Sequence, residues 1–143
     1  MRIVVDTNII FSALLNTSGH FGKILIHFGN KAEFYSCDFL LEELENHHQK
    51  LKKLTGLNSS DLNELIGLVT KKVKFINERL IPERSYSFAH KYLDGIDEKD
   101  IPFLALAHFM KARLWTGDKQ LRRAIARQNV VRQIESSQIL SYL

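Results

Sequence analysis

The sequence lacks several features that would assign its 143 residues to a familiar class. Its only cysteine, Cys37, cannot form an internal disulfide, so we expect a buried thiol in a protein of the reducing cytoplasm. The longest apolar runs, at residues 9–15 and 101–107, are too short to cross a bilayer, and the first residues do not form a signal peptide. We therefore expect no association with a membrane.

Motifs of several enzyme classes are also missing. The sequence contains no HExxH or CxxC pattern, no glycine-rich phosphate loop, no GxGxxG and no serine or cysteine nucleophile elbow. His47 and His48 are adjacent and point to different faces of a helix, which makes them poor joint ligands for a metal. Zinc proteases, P-loop enzymes, dinucleotide-binding enzymes and serine or cysteine hydrolases are therefore disfavoured.

Charge is moderate in amount but uneven along the chain. The formal net charge is +4, and the 25% of charged and 45% of hydrophobic residues are typical of a globular protein, here one domain over residues 1–143. Basic clusters attract polyanions such as RNA, although a solvated helix face is an equally good explanation of each cluster. The clusters are Lys71, Lys72 and Lys74, and Lys119, Arg122, Arg123, Arg127 and Arg132.

Short apolar segments alternate with longer amphipathic ones. The short segments predict strands, with a continued helix as the alternative for the third, at residues 3–5, 33–36, 73–76, 113–116 and 130–132. This alternation favours an α/β fold with a mainly parallel sheet, because parallel strands need crossover helices. Ligands in such folds bind at the carboxyl edge of the sheet.

The amphipathic segments predict helices with recognisable ends. Asp38 and either Ser59 or Ser60 are expected as N-caps, and Gly56 is expected just beyond a helix end. The predicted helices cover residues 8–15, 21–28, 38–54, 59–70, 85–93, 101–110, 118–128 and 136–143.

Two aspartates directly follow predicted strands. Asp6 comes after the first strand, and Asp118 follows the Trp115-Thr116-Gly117 exit of a later one. A carboxylate at the end of a buried strand is costly unless it is solvated, caps a helix or binds a cation. Each aspartate also precedes a helix, so capping is the better explanation of either one alone. Their equivalent positions at two strand ends favour a shared site.

Asp97 and Asp100 are further candidates. They lie three residues apart and share one side of a helical first turn, where the helix dipole favours negative charge. They could equally form a capping box, or Asp100 could cap a helix with Pro102 in its first turn. The spacing does not separate these alternatives.

Glu43 and Glu45 belong to the helix predicted at residues 38–54. They flank its apolar arc on opposite sides, so either could reach a site beside the core, whereas Glu42 points to solvent. A solvated helix glutamate is the common alternative, and the helical arrangement alone does not choose between the two.

A cluster of four carboxylates would be unstable without compensation. Two carboxylates about 5 Å apart repel by roughly 3 kcal/mol at an effective dielectric near 20, a large part of a total stability of about 5–15 kcal/mol. Such a cluster persists only if protons are shared or a cation neutralises it. Oxygen ligands favour Mg²⁺ or Mn²⁺, which suit phosphodiester hydrolysis because they activate water and stabilise the leaving oxygen.

Four segments, in their order and spacing, resemble the PIN-domain family, particularly its small prokaryotic VapC-like toxins. They span almost the whole chain and contain all the candidate site acids discussed above except Glu45. The segments are Val4-Val5-Asp6-Thr7-Asn8, Leu41-Glu42-Glu43-Leu44, residues 97–107, and Leu114-Trp115-Thr116-Gly117-Asp118.

The resemblance implies a five-stranded, mainly parallel sheet in the order 3-2-1-4-5, flanked by helices, with the acids at one edge. It implies Glu43 rather than Glu45, and it implies Asp97 as an additional or substitute metal ligand. Asn8 and Thr116 would orient acids or water. The catalytic acids that it implies, with Mg²⁺ or Mn²⁺ as cofactor, are Asp6, Glu43, Asp100 and Asp118.

The implied function is that of an endoribonuclease for single-stranded RNA, the toxin of a toxin–antitoxin pair. An antitoxin partner and a homodimer follow from the same resemblance. We expect the RNA backbone to be held by Lys119, Arg122 and Arg123, in the turn after the last acid.

Three other functions compete with this interpretation. One class of α/β phosphatases also begins with an aspartate after a strand, but it needs a second aspartate where this chain has Asn8. A 5′-nuclease for structured DNA would need a longer chain. A non-catalytic RNA- or protein-binding module would use the acids as helix caps, and it predicts neither a magnesium effect on stability nor cleavage.

Overall fold

A parallel β-sheet organises the protein. In the computed structural model, which describes residues 1–92 and 96–142, it has four strands in the order β3-β2-β1-β4. The central strand β1 pairs in parallel with β2 and β4, so that Ile3 lies opposite Phe34 on one side and Arg113 on the other. The strands are β1 (Arg2–Val5), β2 (Glu33–Cys37), β3 (Val73–Ile76) and β4 (Arg113–Trp115).

Helices connect and cover the strands. The sheet is apolar on both faces, as a buried parallel sheet must be, and Ile3, Val4 and Val5 are fully buried. Two short 3₁₀ turns lie at Glu78–Leu80 and Glu98–Asp100. The α-helices are α1 (Thr7–Leu15), α2 (His20–His27), α3 (Asp38–Asn46), α4 (His48–Thr55), α5 (Ser59–Thr70), α6 (Glu83–His90), α7 (Ile101–Met110), α8 (Lys119–Ala126) and α9 (Ser136–Leu140).

The prediction of a fifth strand, and hence of the order 3-2-1-4-5, is wrong. Residues 130–132 form no strand, and only a single parallel bridge joins Leu114 to Gln133. The Gln128 side chain explains this difference, because its Oε1 accepts the N–H groups of Val130 at 2.7 Å and Val131 at 2.8 Å. These N–H groups are thus held in a turn and cannot join the sheet.

The helix predicted at residues 38–54 is divided into α3 and α4. His47 interrupts it with φ −104° and ψ 16°, and its ring lies edge-on to Phe11 of α1 at 5.6 Å between centroids. Asp38 is the first residue of α3 rather than its N-cap. Gly56 ends α4 in the left-handed conformation at φ 73°, as predicted.

Other ends of helices differ by a few residues. Asn58, not Ser59 or Ser60, caps α5 by accepting the Asp61 N–H at 2.8 Å. The predicted ends at Leu93 and Leu143 lie outside the described residues. No single helix in the described part of the chain is long and apolar enough to span a membrane; α1 and α2 pass such a test only as a pair, which is bent by 102°.

Candidate active site

An acidic cleft lies at the carboxyl edge of the sheet. Because β1 and β4 are parallel neighbours, the residues that follow them meet at this edge, and the Asp6 N–H donates to the Trp115 carbonyl at 3.3 Å. The cleft has a volume of about 190 Å³. We call it the acidic cleft, and its lining residues are Asp6, Thr7, Asn8, Phe11, Glu43, Asp97, Lys99, Asp100, Phe103 and Asp118.

Asp6 is the most deeply buried of these acids. It is only 2% exposed, and its Oδ1 caps α1 by accepting the Ile9 N–H at 3.3 Å. Its Oδ2 is buried without a hydrogen-bond partner among the described residues. Burial raises the pKa of Asp6 from 3.8 to about 7; Asp100 and Asp118 add to the increase, and the Thr116 hydroxyl and the Ile9 N–H oppose it. Capping therefore accounts for only one of the two carboxylate oxygens of Asp6.

Asp97 and Asp100 have different roles. Asp97 is exposed and caps the 3₁₀ turn, since its Oδ1 accepts the Lys99 N–H at 2.9 Å. Asp100 makes no capping bond through its side chain. Burial raises the pKa of Asp100 from 3.8 to about 7, with further contributions from Asp118 and Asp97. The alternative left open by the sequence is thus resolved: Asp97 caps, and both acids line the cleft.

Asp118 is held by a short loop after β4. Its Oδ1 caps α8 by accepting the N–H groups of Gln120 at 2.8 Å and Leu121 at 3.0 Å. Its own N–H donates to Thr116 Oγ1 at 3.1 Å, and the N–H of Gly117 donates to Asn8 Oδ1 at 3.1 Å. Asn8 and Thr116 therefore fix the loop that carries Asp118.

Glu43 reaches the acidic cleft from α3, and Glu45 does not. The Thr7 hydroxyl donates to Glu43 Oε1 at 2.5 Å and ties the helix to the residue after Asp6. Glu45 lines a separate pocket with Leu44 and His48. Thr7 had no predicted role of its own, although it belongs to the first of the four segments.

Lys99, Phe11 and Phe103 also line the cleft without having been predicted there. Lys99 stands between Asp97 and Asp100 in the sequence, and that position was the only available indication of its place. No pattern in the sequence distinguished the two phenylalanines from the other apolar residues of their helices.

The three cations expected to bind RNA lie together beside the cleft. Lys119, Arg122 and Arg123 line a shallow pocket of about 290 Å³, which we call the basic pocket. Arg122 is already engaged: its Nη2 donates to Glu135 Oε1 at 2.7 Å and its Nε to Gln133 Oε1 at 3.2 Å. Lys119 and Arg123 are exposed.

The oxygen donors of the cleft suit a hard cation such as Mg²⁺. Among residues 1–92 and 96–142, no group of three Asp, Glu, His or Cys side chains is arranged to hold a metal ion. The fit rests instead on the partnerless Oδ2 of Asp6 and on the raised pKa of both Asp6 and Asp100. A cation that retains several waters and takes a few carboxylates would neutralise this charge.

Comparison with known proteins gives a consistent picture. The sequence model of the PIN domain matches residues 4–138. An uncharacterized protein of Methanocaldococcus jannaschii is 31% identical over 124 residues, which cover 85% of this chain and 73% of that protein. The fold is similar to a chain of VapBC2 from Rickettsia felis, solved bound to a DNA fragment from their promoter; the TM-score is 0.74 at 16% identity, covering 94% of this chain and 98% of that one. This chain belongs to the PIN-domain family.

Proposed function

We propose that this protein is a metal-dependent endoribonuclease that cleaves single-stranded RNA with Mg²⁺ or Mn²⁺. The observation that carries the proposal is Asp6, whose buried Oδ2 has no hydrogen-bond partner among residues 1–92 and 96–142 and lies in a cleft shared with three other aspartates and Glu43. A buried carboxylate without a partner is costly in a purely structural site, but it is useful where a cation must bind. Membership of the PIN-domain family supports nuclease chemistry.

Each cleft residue has a distinct part in this proposal. Asp6, Asp100 and Asp118 hold the ion, with Asp97 as an additional ligand. An ion held there would supply activation of water and stabilisation of negative charge on the phosphate oxygens. Glu43, fixed by its bond from Thr7, orients the attacking water.

The phosphate backbone needs cations outside the cleft. Lys119 and Arg123, which are exposed in the basic pocket, bind flanking phosphates. Arg122 contributes less charge there, because Glu135 neutralises it.

The biological setting is proposed from fold similarity. The Rickettsia felis protein with a similar fold belongs to the VapBC2 complex. We accordingly propose that this chain is a cytoplasmic toxin that acts as a homodimer and pairs with an antitoxin protein.

One observation favours a second candidate, a non-catalytic RNA- or protein-binding module. Asp6, Asp97 and Asp118 all accept backbone N–H bonds as caps. If capping were their whole role, the cleft would need no metal. This candidate predicts RNA or protein binding without cleavage.

Cleavage of single-stranded RNA by wild-type protein and Asp6→Asn separates the two candidates. With Mg²⁺ or Mn²⁺, the wild-type protein should cleave the RNA, and EDTA should stop this cleavage. Asp6→Asn should cleave roughly a thousand-fold more slowly, because it loses several kcal/mol of charge stabilisation. The matched control is Asp61→Asn, which changes an exposed aspartate on α5 and keeps the wild-type rate. A wild-type rate in Asp6→Asn would remove Asp6 from the mechanism, and binding without cutting by the wild type would favour the second candidate.

A further inference from the structure

A second cavity adjoins the acidic cleft. It has a volume of about 280 Å³ and is lined in part by Phe21, Trp115, Arg122, Glu135, Ser136 and Ser137. We call it the Trp115 pocket. None of the residues predicted to be catalytic lines this pocket. Two of its lining residues, Thr116 and Arg122, had a predicted role in the site.

The Trp115 pocket and the acidic cleft share a wall. Thr116 and Gly117 line the pocket, while Asn8 and Asp118, which are hydrogen-bonded to this pair of residues, line the cleft. Arg122 lines both the Trp115 pocket and the basic pocket. The Trp115 pocket is therefore linked to the acidic cleft through hydrogen-bonded neighbours and to the basic pocket through Arg122.

The inner part of the Trp115 pocket is aromatic. The rings of Phe21 and Trp115 are tilted by 46° with 5.9 Å between centroids, and Trp115 is only 1% exposed. The Trp115 Nε1–H already donates to Ser136 Oγ at 3.0 Å. Phe21 is partly exposed and offers a ring against which a flat group can stack.

The rim of the pocket is polar but nearly neutral. Arg122 and Glu135 form an ion pair at 2.7 Å, and both side chains stay substantially exposed, at 40% and 57%. The pair presents guanidinium donors and carboxylate acceptors side by side. A phosphate would meet the Glu135 carboxylate and be repelled, whereas the edge of a nucleobase carries both donors and acceptors.

We propose that the Trp115 pocket binds a nucleobase of the RNA strand, next to the phosphate that enters the acidic cleft. Aromatic and apolar groups contact the base faces, and the Arg122–Glu135 pair contacts its edge. Lys119 and Arg123 then receive the following phosphate. This inference rests on the proposed function for its substrate, but base binding itself requires neither metal nor cleavage. The cavity volume lies near the lower end for ligand sites, about 300 Å³, as suits a single base.

Trp115 provides a direct probe, because it is the only tryptophan of the chain. Protein in EDTA is titrated with GMP, AMP, CMP and UMP, and separately with ribose 5-phosphate, while tryptophan fluorescence is recorded. We expect saturable quenching by one or more of the nucleotides and none by ribose 5-phosphate. Quenching by ribose 5-phosphate equal to that by the nucleotides, or no saturable quenching at all, would overturn the proposal.

Two variants locate the binding within the pocket. Glu135→Gln removes a carboxylate acceptor from an exposed position, and Phe21→Leu removes the stacking ring but retains apolar bulk. Each should weaken nucleotide binding by roughly ten-fold, as loss of one stacking or base-edge interaction does. The matched control Glu83→Gln makes the same charge change on α6, which contributes no residue to the pocket, and it should bind like the wild type.

The outcomes distinguish this proposal from the proposed function. If Glu135→Gln weakens quenching by nucleotides and Glu83→Gln leaves it unchanged, the base site is supported even when the protein cleaves no RNA. Two outcomes would overturn the base site and leave the nuclease function intact. In the first, the protein cleaves RNA but nucleotides do not quench its tryptophan fluorescence saturably. In the second, it cleaves RNA and Glu135→Gln and Glu83→Gln bind nucleotides equally well.

Discussion

Carboxylates lie at both edges of the sheet, in opposite surroundings. At the amino edge, the Tyr35 hydroxyl donates to Glu33 Oε2 at 2.6 Å and Lys74 Nζ lies 3.0 Å from the same oxygen. The bond from Tyr35, and then Lys74, lower the pKa of Glu33 below its ordinary value. At the carboxyl edge, burial and neighbouring acids raise the pKa of Asp6 and Asp100 to about 7.

This difference separates a carboxylate that is paired within the protein from carboxylates that have no ion pair among the described residues. Glu33 finds its positive charge within the protein, on the neighbouring strand. No cation of residues 1–92 or 96–142 forms an ion pair with the acids of the cleft, although Lys99 lines it. Perturbed acids clustered in a cleft are a mark of functional sites, where a bound cation or shared protons balance their charge.

The largest expected effect is the pH dependence of stability without metal. The folded protein holds the Asp6 proton more tightly than the unfolded chain does. The contribution of this carboxyl to the free energy of unfolding is therefore fully present below pH 3.8 and is lost as the pH rises to about 7. Over that range, Asp6→Asn should gain stability relative to wild type by on the order of 4 kcal/mol. Urea unfolding in EDTA at a series of pH values measures the difference.

Glu33→Gln is the control from the other edge. The pKa of Glu33 is lowered, so its contribution is present above the ordinary value of 4.5 and is lost only as the pH falls. Above pH 4.5, the free energy of unfolding of Glu33→Gln should change with pH in the same way as that of wild type. If the free energy of unfolding of Asp6→Asn also changed with pH as that of wild type does, the Asp6 carboxyl would titrate normally. The contrast between the two edges would then fail.

The next effect is stabilisation by metal. An ion that binds only the folded state adds about 2.7 kcal/mol at one hundred times its dissociation constant, which raises the unfolding midpoint by several degrees. We expect this for wild type with Mg²⁺ or Mn²⁺ at neutral pH. Thermal unfolding against metal concentration measures it.

Variants at the two edges define the metal site. Glu33→Gln should retain the whole metal-dependent shift of the midpoint, and Asp6→Asn should lose most of it. Equal shifts in both variants would place the ion elsewhere. Absence of any shift in wild type would favour helix capping as the main role of the acids.

The position of the acids at one edge could be predicted because it depends on local pattern and parallel topology. Asp6 and Asp118 each follow an apolar strand, and parallel neighbours bring such residues together. The Thr7–Glu43 bond joins residues 36 positions apart, and the Arg122–Glu135 pair joins two exposed side chains. Contacts of this kind depend on how elements pack, which one sequence does not show.

The same limit explains the two errors in the fold. An apolar sequence at residues 130–132 favoured a strand, but the Gln128 side chain competes for its N–H groups. A continuous pattern over residues 38–54 favoured one helix, but His47 packs against Phe11 and the chain turns there. In both cases a contact outside the predicted segment decided the conformation.

The smallest expected effect concerns Thr7, whose hydroxyl holds Glu43 at the carboxyl edge of the sheet. Thr7→Val keeps the shape of this buried side chain but removes the donor, so we expect cleavage to fall by about 10- to 100-fold, as for other residues that orient a ligand. The loss of one hydrogen bond should lower stability by only about 1 kcal/mol. Thr7→Ser restores the donor and should recover most of the activity.

Thr70→Val, which removes a hydroxyl bonded to the Ile66 carbonyl on α5, should retain full activity because no acid of the cleft depends on it. Equal activity of Thr7→Val and Thr7→Ser would show that Glu43 acts in the cleft without needing this bond, or does not act there at all.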